Sequence, residues 1–187
     1  RDAAFDFSEW QPSIDEATYR NAVEKIREHI AAGDTYQANF TFRLRAKFHG
    51  DDLALYHSLC RSQRAGYCAY INPGRYRVLS AAPELFFLWH KGTLTTRPMK
   101  GTHRRGRTTS EDQYYAEQLL ASAKERAENL MIVDLLRNDV GRVSEFGSVE
   151  VPHLFEIERY PTVLQMTSTI TSRPLPMVGL TEILQAL

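Results

Sequence analysis

Cysteine is scarce in this chain. Only Cys60 and Cys68 occur among 187 residues, a count that excludes both a disulfide-rich secreted scaffold and a four-cysteine zinc site. The two are expected to be reduced packing residues. Long apolar runs are missing as well: nothing approaches the roughly 20 consecutive apolar residues that a membrane span requires. No charged-then-apolar leader is visible at the start, so a cytoplasmic location is the expectation. A surplus of charge is also lacking. Lys plus Arg and Asp plus Glu each number 23, leaving no whole-chain field to gather nucleic acid or an anionic membrane, so any anion recognition has to be local. Repeats and low-complexity tracts are absent.

What is there, 43% hydrophobic and 25% charged residues, is the ordinary profile of a globular chain that buries a core. Arg1 stands where an initiator Met would, and Thr181 to Leu187 reads as a helix without the Gly, Asn or Pro that usually stops one. The expectation is one incomplete domain over residues 1–187, continuing beyond Leu187.

Ser13-Ile14-Asp15-Glu16 has capping-box spacing, and Tyr19, Val23, Ile26 and Ile30 then recur at helical intervals until Gly33 supplies a stop. Next, Tyr36, Ala38, Phe40, Phe42, Leu44, Ala46 and Phe48 alternate with polar neighbours, which predicts a strand with one dry face and a polar face carrying Gln37 and Asn39. Asp51 and Asp52 cap a short helix through Leu59. Two hairpins follow, Tyr67 to Ile71 with Tyr76 to Leu79 about Asn72-Pro73-Gly74, and Leu85 to Trp89 with Thr93 to Thr96 about Lys91-Gly92. Neither connection can hold a crossover helix, so the sheet should be antiparallel.

Ser110 to Asn138 predicts the longest helix, opened by Ser110-Glu111-Asp112-Gln113 as a capping box. On a helical wheel Leu119, Ala123, Ala127 and Leu130 share an arc with Asp134, Arg137 and Asn138, which predicts a satisfied buried network or a cleft wall. Glu128 projects from the opposite side. Gly147 to Val151 and Val163 to Ile170 read as further strands, the second rich in hydroxyls at Thr167, Ser168, Thr169 and Thr171. Hairpins and long helices without regular βαβ spacing give an α+β class, an antiparallel β-sheet layered with α-helices.

The candidate chemistry sits in Arg97-Pro98-Met99-Lys100-Gly101-Thr102-His103-Arg104-Arg105-Gly106-Arg107, which leaves a strand and gathers positive charge beside two glycines. Gly101 allows close backbone approach and Thr102 offers a hydroxyl and an N–H to a carboxylate, so the segment suits an anion pocket. A basic surface loop or a nucleic-acid contact fits the same residues, although the loop has no aromatic position on which a base could stack.

Three further segments bear on it: Gly33-Asp34-Thr35-Tyr36-Gln37-Ala38-Asn39, Ala82-Pro83-Glu84-Leu85-Phe86, and Ala127-Glu128-Asn129-Leu130-Met131-Ile132-Val133-Asp134-Leu135-Leu136-Arg137-Asn138-Asp139. Together, in this order, the four resemble the chorismate-binding family, which includes anthranilate, aminodeoxychorismate, isochorismate and salicylate synthases. The similarity runs from about Tyr19 to the C-terminus and implies the chorismate-utilising fold.

Within that family the Pro-(Ile/Met)-Lys-Gly-Thr motif marks the aminodeoxychorismate-forming branch, whereas anthranilate synthases carry Ala where Lys100 stands. Isochorismate and salicylate synthases place a lysine where Gln37 stands. The resemblance therefore implies amination of chorismate at C4 with ammonia, on the route to p-aminobenzoate and folate, with Lys100 adding covalently to C2. It implies Glu84 as the acid that protonates the departing hydroxyl, Gly101 and Thr102 as substrate-binding residues, and Glu128 as a ligand to Mg²⁺. An unprotonated Lys100 amine is required, which desolvation or nearby cations such as Arg97 and Arg104 would favour. The partners implied are chorismate and a glutamine amidotransferase subunit or domain supplying ammonia.

The family's Gly-rich C-terminal segment and a later metal-binding glutamate have no match before Leu187, so the piece by itself is expected to be inactive. Gln165 stands where the family commonly has a histidine. The alternatives are anthranilate synthase component I, and a fragment that only binds a ligand or partner.

Overall fold

Phe5 and Phe7 alternate about Asp6 and open the chain as strand β1 (Phe5–Phe7) in a computed structural model that describes residues 4–187. Strand β2 (Gln11–Pro12), helix α1 (Glu16–Ala32), β3 (Leu44–Arg45) and β4 (Phe48–Gly50) complete a first unit ending at Leu55. β1 lies antiparallel on β4, and β2 on β3. Trp10 and Phe48 flank Phe7 with ring centroids 5.1 and 5.4 Å away.

Helix α1 forms where the periodicity places it, and Gly33 ends it at a φ of 81°. Its N-cap is Asp15, not Ser13: the Asp15 carboxylate accepts the Thr18 N–H at 2.8 Å. The Thr18 hydroxyl and then this N–H lower the Asp15 pKa from its ordinary value. Ser13 instead accepts the Arg43 N–H at 3.1 Å. The long strand predicted from Tyr36 to Phe48 is not formed; only Leu44–Arg45 and Phe48–Gly50 enter ladders. Alternation makes a segment fit for a sheet, but a strand exists only where a neighbour takes its backbone hydrogen bonds. Phe40 and Phe42 pack instead on Tyr19, at 5.8 and 5.9 Å between centroids. Gln37 and Asn39 are exposed.

Helix α2 (Asp52–Gln63) begins at Asp51, whose carboxylate accepts the N–H groups of Leu53 and Ala54 at 2.8 and 3.2 Å. The second unit extends from Tyr56 to Leu187. Both expected hairpins are present: β5 (Tyr67–Ile71) on β6 (Val78–Ala82), and β7 (Leu85–His90) on β8 (Thr93–Arg97). Asn72 makes the first turn by accepting the Gly74 N–H at 3.0 Å. After Pro98 come β9 (Met99–Arg104), helices α3 (Thr109–Ala121) and α4 (Ala123–Gly141), strands β10 (Glu150–Arg159) and β11 (Val163–Ser172), and helix α5 (Leu180–Ala186).

The antiparallel sheet runs β10-β11-β8-β7, with β9 continuing from β8 along the same edge of β11. β11 is its axis, and Leu164, Met166, Thr167, Ser168 and Ile170 on it are 0–1% exposed. Helix α3 covers one end of β11, where Ala116 and Leu119 meet Leu164 and Met166. α4 and α5 cover the other, where Val133, Val140, Ile183 and Ala186 meet Leu94 and Ile170. This helices-on-sheet arrangement is the expected α+β class. Among the described residues no helix is long and apolar enough to cross a membrane.

The single long helix predicted over Ser110 to Asn138 is two helices. Ser122 takes φ −68° and ψ 109°, ends α3, and caps α4 by accepting the Glu125 N–H at 3.3 Å. Helix α3 is capped by Thr108, not Ser110. The break resets the helical phase, so the arc extrapolated from Leu119 is the wrong one. Helix α4 buries Asn129, Val133 and Val140, whereas Asp134, Arg137 and Asn138 are exposed. Arg137 pairs with Asp134 at 3.0 Å on the surface, and Asp139 pairs with Arg142 at 3.2 Å, in place of a buried network.

Charge is buried at the start of α3 instead. Asp112, 7% exposed, receives Arg105 Nε and Nη2 at 2.6 and 2.9 Å and the Gly106 N–H at 2.9 Å. These bonds, the Arg105 pair first, hold its pKa down at about 2. A depressed folded-state pKa stabilises above the unfolded value and loses that contribution as pH falls through the folded one. Asp112→Asn should therefore lower the melting temperature at neutral pH. In melts across a pH series the deficit should shrink as pH falls from about 4, the unfolded carboxyl value, toward about 2; a pH-independent deficit would count against the pairing.

Candidate active site

The segment from Pro98 to Thr102 is where β8 gives way to β9, and it is gripped almost residue by residue. Thr102 faces Gln165 and Met99 faces Thr167 across β11, so Lys100 and Gly101 together oppose Met166 alone. This is a β-bulge, in which one extra residue leaves the ladder and re-aims the side chains around it. Gly101 is buried with a φ of 96°, which L side chains rarely adopt. A Cβ there would also lie 3.2 Å from the Met166 Cβ and 3.3 Å from the Glu125 carboxylate.

A bulge leaves backbone groups without ladder partners, and buried ones must find others. Asn129 of α4, fully buried, supplies them: its Nδ2 donates to the Lys100 and Met166 carbonyls at 3.3 Å each. Its Oδ1 accepts the Ser168 hydroxyl at 2.6 Å, and Ser168 Oγ in turn accepts the Phe155 N–H at 3.1 Å. The Pro98 carbonyl accepts the Ser168 N–H at 3.2 Å.

The residues expected from sequence assemble around this bulge to different degrees. Lys100 is half-buried, and no hydrogen bond or ion pair engages its amine among the described residues. Glu84, in the turn between β6 and β7, accepts the Met99 N–H at 2.9 Å, one residue from Lys100. Thr102 is exposed and its hydroxyl donates to Gln165 Oε1 at 2.7 Å. Glu128 is half-buried on α4, held 3.3 Å from the Lys124 ammonium.

Glu125, which the sequence reading passed over, shares that ammonium at 3.3 Å and is the carboxylate against Gly101. The signal for it is the i,i+3 spacing to Glu128, which puts both on one side of a helix. The two carboxylates, Glu125 first, raise the Lys124 pKa. No group of three or more His, Cys, Asp or Glu side chains forms a metal cluster among the described residues.

The arginines expected to act on Lys100 are engaged elsewhere. Arg97 binds Glu158 at 2.8 Å and Glu156 at 3.3 Å, and Arg104 is bonded to the Tyr115 hydroxyl. Arg97, paired with two carboxylates, exerts little net field on a neighbour. Arg97, Glu158 and Tyr160 line a polar cleft of about 340 Å³ with Tyr67, Leu85 and Met99. Burial, then the hydrogen bond it donates to Glu158, raises the Tyr160 pKa, and the same hydroxyl lies 3.4 Å from the Pro83 carbonyl beside Glu84.

Gly101→Ala combines backbone strain with a clash and should cost about 1–3 kcal/mol of stability in denaturant melts. A loss below about 0.5 kcal/mol, the scale of an ordinary surface change, would contradict it.

Comparison with known proteins finds relatives over most of the chain. The family model for chorismate binding enzymes matches residues 2–187. Aminodeoxychorismate synthase component 1 of Escherichia coli (strain K12) is 39% identical over 96% of this chain and 40% of its own length. Anthranilate synthase component 1 of Aquifex aeolicus (strain VF5) is 38% identical over 88% of this chain and 33% of its own length. The crystal structure of anthranilate synthase component I from Streptococcus pneumoniae TIGR4 superposes with a TM-score of 0.86 at 32% identity, covering 95% of this chain and 39% of that one. The chain thus spans 33–40% of the length of these relatives. A family match over nearly every residue, together with a shared overall fold, establishes that this chain belongs to the chorismate binding enzymes.

Proposed function

We propose that the intact protein aminates chorismate at C4 with ammonia, giving 4-amino-4-deoxychorismate through a covalent adduct on Lys100. The observation that carries this reading is the bulge itself: a half-buried lysine with an unengaged amine, beside a glutamate docked on the adjacent Met99 amide. In the first step the lone pair of the neutral Lys100 amine adds at C2, the conjugated double bonds of the ring shift, and the C4 hydroxyl leaves as water with a proton from Glu84. Ammonia then attacks C4, the double bonds shift back, and Lys100 departs from C2 with its bonding electrons. Gly101 offers backbone within reach of the substrate and Thr102 a hydroxyl whose orientation Gln165 fixes.

Glu125 and Glu128 fit Mg²⁺: they are two hard oxygen donors that already share one cationic group, and Mg²⁺ is held by one or two carboxylates while keeping several waters. A bound Mg²⁺ would supply charge for the ring carboxylate of chorismate. The whole chain is read as part of one chorismate-binding domain acting in the cytoplasm. Ammonia would come from a glutamine amidotransferase subunit or domain, and the product would feed p-aminobenzoate and folate synthesis.

The near-equal similarity to anthranilate synthases supports a second reading, amination at C2 followed by aromatisation; Lys100 argues against it, because the family's anthranilate branch has alanine there. Incubating the intact protein with chorismate, Mg²⁺ and ammonia, with products identified by mass spectrometry, separates the two. Aminodeoxychorismate is expected, with its formation reduced at least about hundredfold by Lys100→Ala. Anthranilate as the product, or an unimpaired alanine variant, overturns the lysine mechanism. Glu128→Gln should raise the Mg²⁺ concentration needed for half-maximal rate by about tenfold or more; an unchanged Mg²⁺ dependence removes Glu128 from the metal site.

A further inference from the structure

Two carbonyls that the bulge removes from the ladder, those of Lys100 on β9 and Met166 on β11, are both satisfied by one side chain, Asn129. An amide has two N–H donors and one oxygen, and all three functions are used here: two donations to the carbonyls and one acceptance from Ser168 Oγ. A carboxylate of the same shape has no donor for the carbonyls, and a hydroxyl has a single donor. The requirement is therefore chemical and not only steric.

Asn129 also follows Glu128 directly and lies one helical turn from Glu125, so the turn of α4 that carries the two carboxylates is the turn bolted to the Lys100 carbonyl. We infer that Asn129 is a positioning residue: it fixes the bulge so that the Lys100 amine stands at a set distance and direction from the Glu125–Glu128 pair. The inference rests on the proposed role of Lys100, and it goes beyond that role by naming the group on which the lysine's geometry depends. Other buried polar pairs do not share this property. Ser144 and Ser172, 2.8 Å apart and also buried, join the far end of β11 to the segment after α4 without touching Pro98 to Thr102.

The test uses the intact protein and two readouts. The first is steady-state kinetics with chorismate and ammonia. Asn129→Ala should lower kcat by about tenfold or more while KM for chorismate stays within about twofold, because misplacing a reacting group by a fraction of an ångström acts on the chemical step. The second needs no turnover: the rate of reductive methylation of Lys100, followed by peptide mass spectrometry, should change about threefold or more in Asn129→Ala, as the local surroundings of an amine set its reactivity. Ser172→Ala is the control, expected to lower the melting temperature and leave both readouts unchanged.

A folded Asn129→Ala with wild-type kcat and methylation rate overturns the inference, as does an equal effect from Ser172→Ala. Should Asn129→Ala fail to fold, Ser168→Ala decides. It leaves both donors in place and frees the amide to rotate, so an altered Lys100 methylation rate supports the inference and an unaltered one sinks it. If the wild-type protein does not consume chorismate, the proposed reaction fails, while the methylation result still judges Asn129 on its own.

Discussion

The extra residue at Lys100–Gly101 is the constraint on which the rest of the second unit turns. Inserting two residues opposite one breaks the pairing of β9 with β11, and the break lies in a buried place where water cannot repair it. Three independent features answer it. Gly101 takes the positive φ, Asn129 takes the orphaned carbonyls, and Ser168 holds both the Asn129 amide and the Pro98 carbonyl. Each comes from a different element, so the bulge ties β9, β11 and α4 together where an uninterrupted ladder would tie only strands. A buried polar network of this kind specifies one arrangement because a half-satisfied version is costly.

Electrostatics follows the same logic of local closure. A neutral chain has no field to spend at a distance, and two arginines of the basic segment are matched to specific carboxylates: Arg105 to Asp112, and Arg97 to Glu156 and Glu158. The basic segment from Arg97 to Arg107 is therefore less an open anion patch than a set of anchors that hold the strand end in place. The Lys100 amine in that segment has no partner among the described residues. On α4 the balance is reversed, because Glu125 and Glu128 offer two negative groups to the one ammonium of Lys124. The separation of an unengaged amine on the sheet from two carboxylates on the helix is a property of the fold, and the Asn129 bonds tie the two elements together.

Features governed by neighbours in sequence were legible. Both hairpins are there because Asn72-Pro73-Gly74 and Lys91-Gly92 dictate turns within a few residues, and α1 ends at Gly33 for the same reason. The candidate site residues Lys100, Glu84, Gly101, Thr102 and Glu128 came from motifs; the fold brings Glu84 to Met99, and Glu125, beside Glu128, to Gly101. The alternation from Tyr36 to Phe48 misled because a period of two states only that a segment could join a sheet. Ser122 misled because one residue between good helix formers carries almost no propensity cost, yet its turn displaces the buried face of every residue after it.

The sequence alone determined the antiparallel class, the positions of α1, α2 and the two hairpins, and the family, since these rest on periodicity, turn chemistry and motif order within short windows. Tertiary structure decided which face of α4 is buried, that Lys100 lies in a bulge, and that Asn129 and not Arg137 or Asn138 forms the polar network. Those outcomes depend on hydrogen bonds between residues 29 to 39 positions apart. Whether a given amide, carbonyl or carboxylate is satisfied is settled only when distant backbone groups arrive beside it, and no local pattern encodes that arrival.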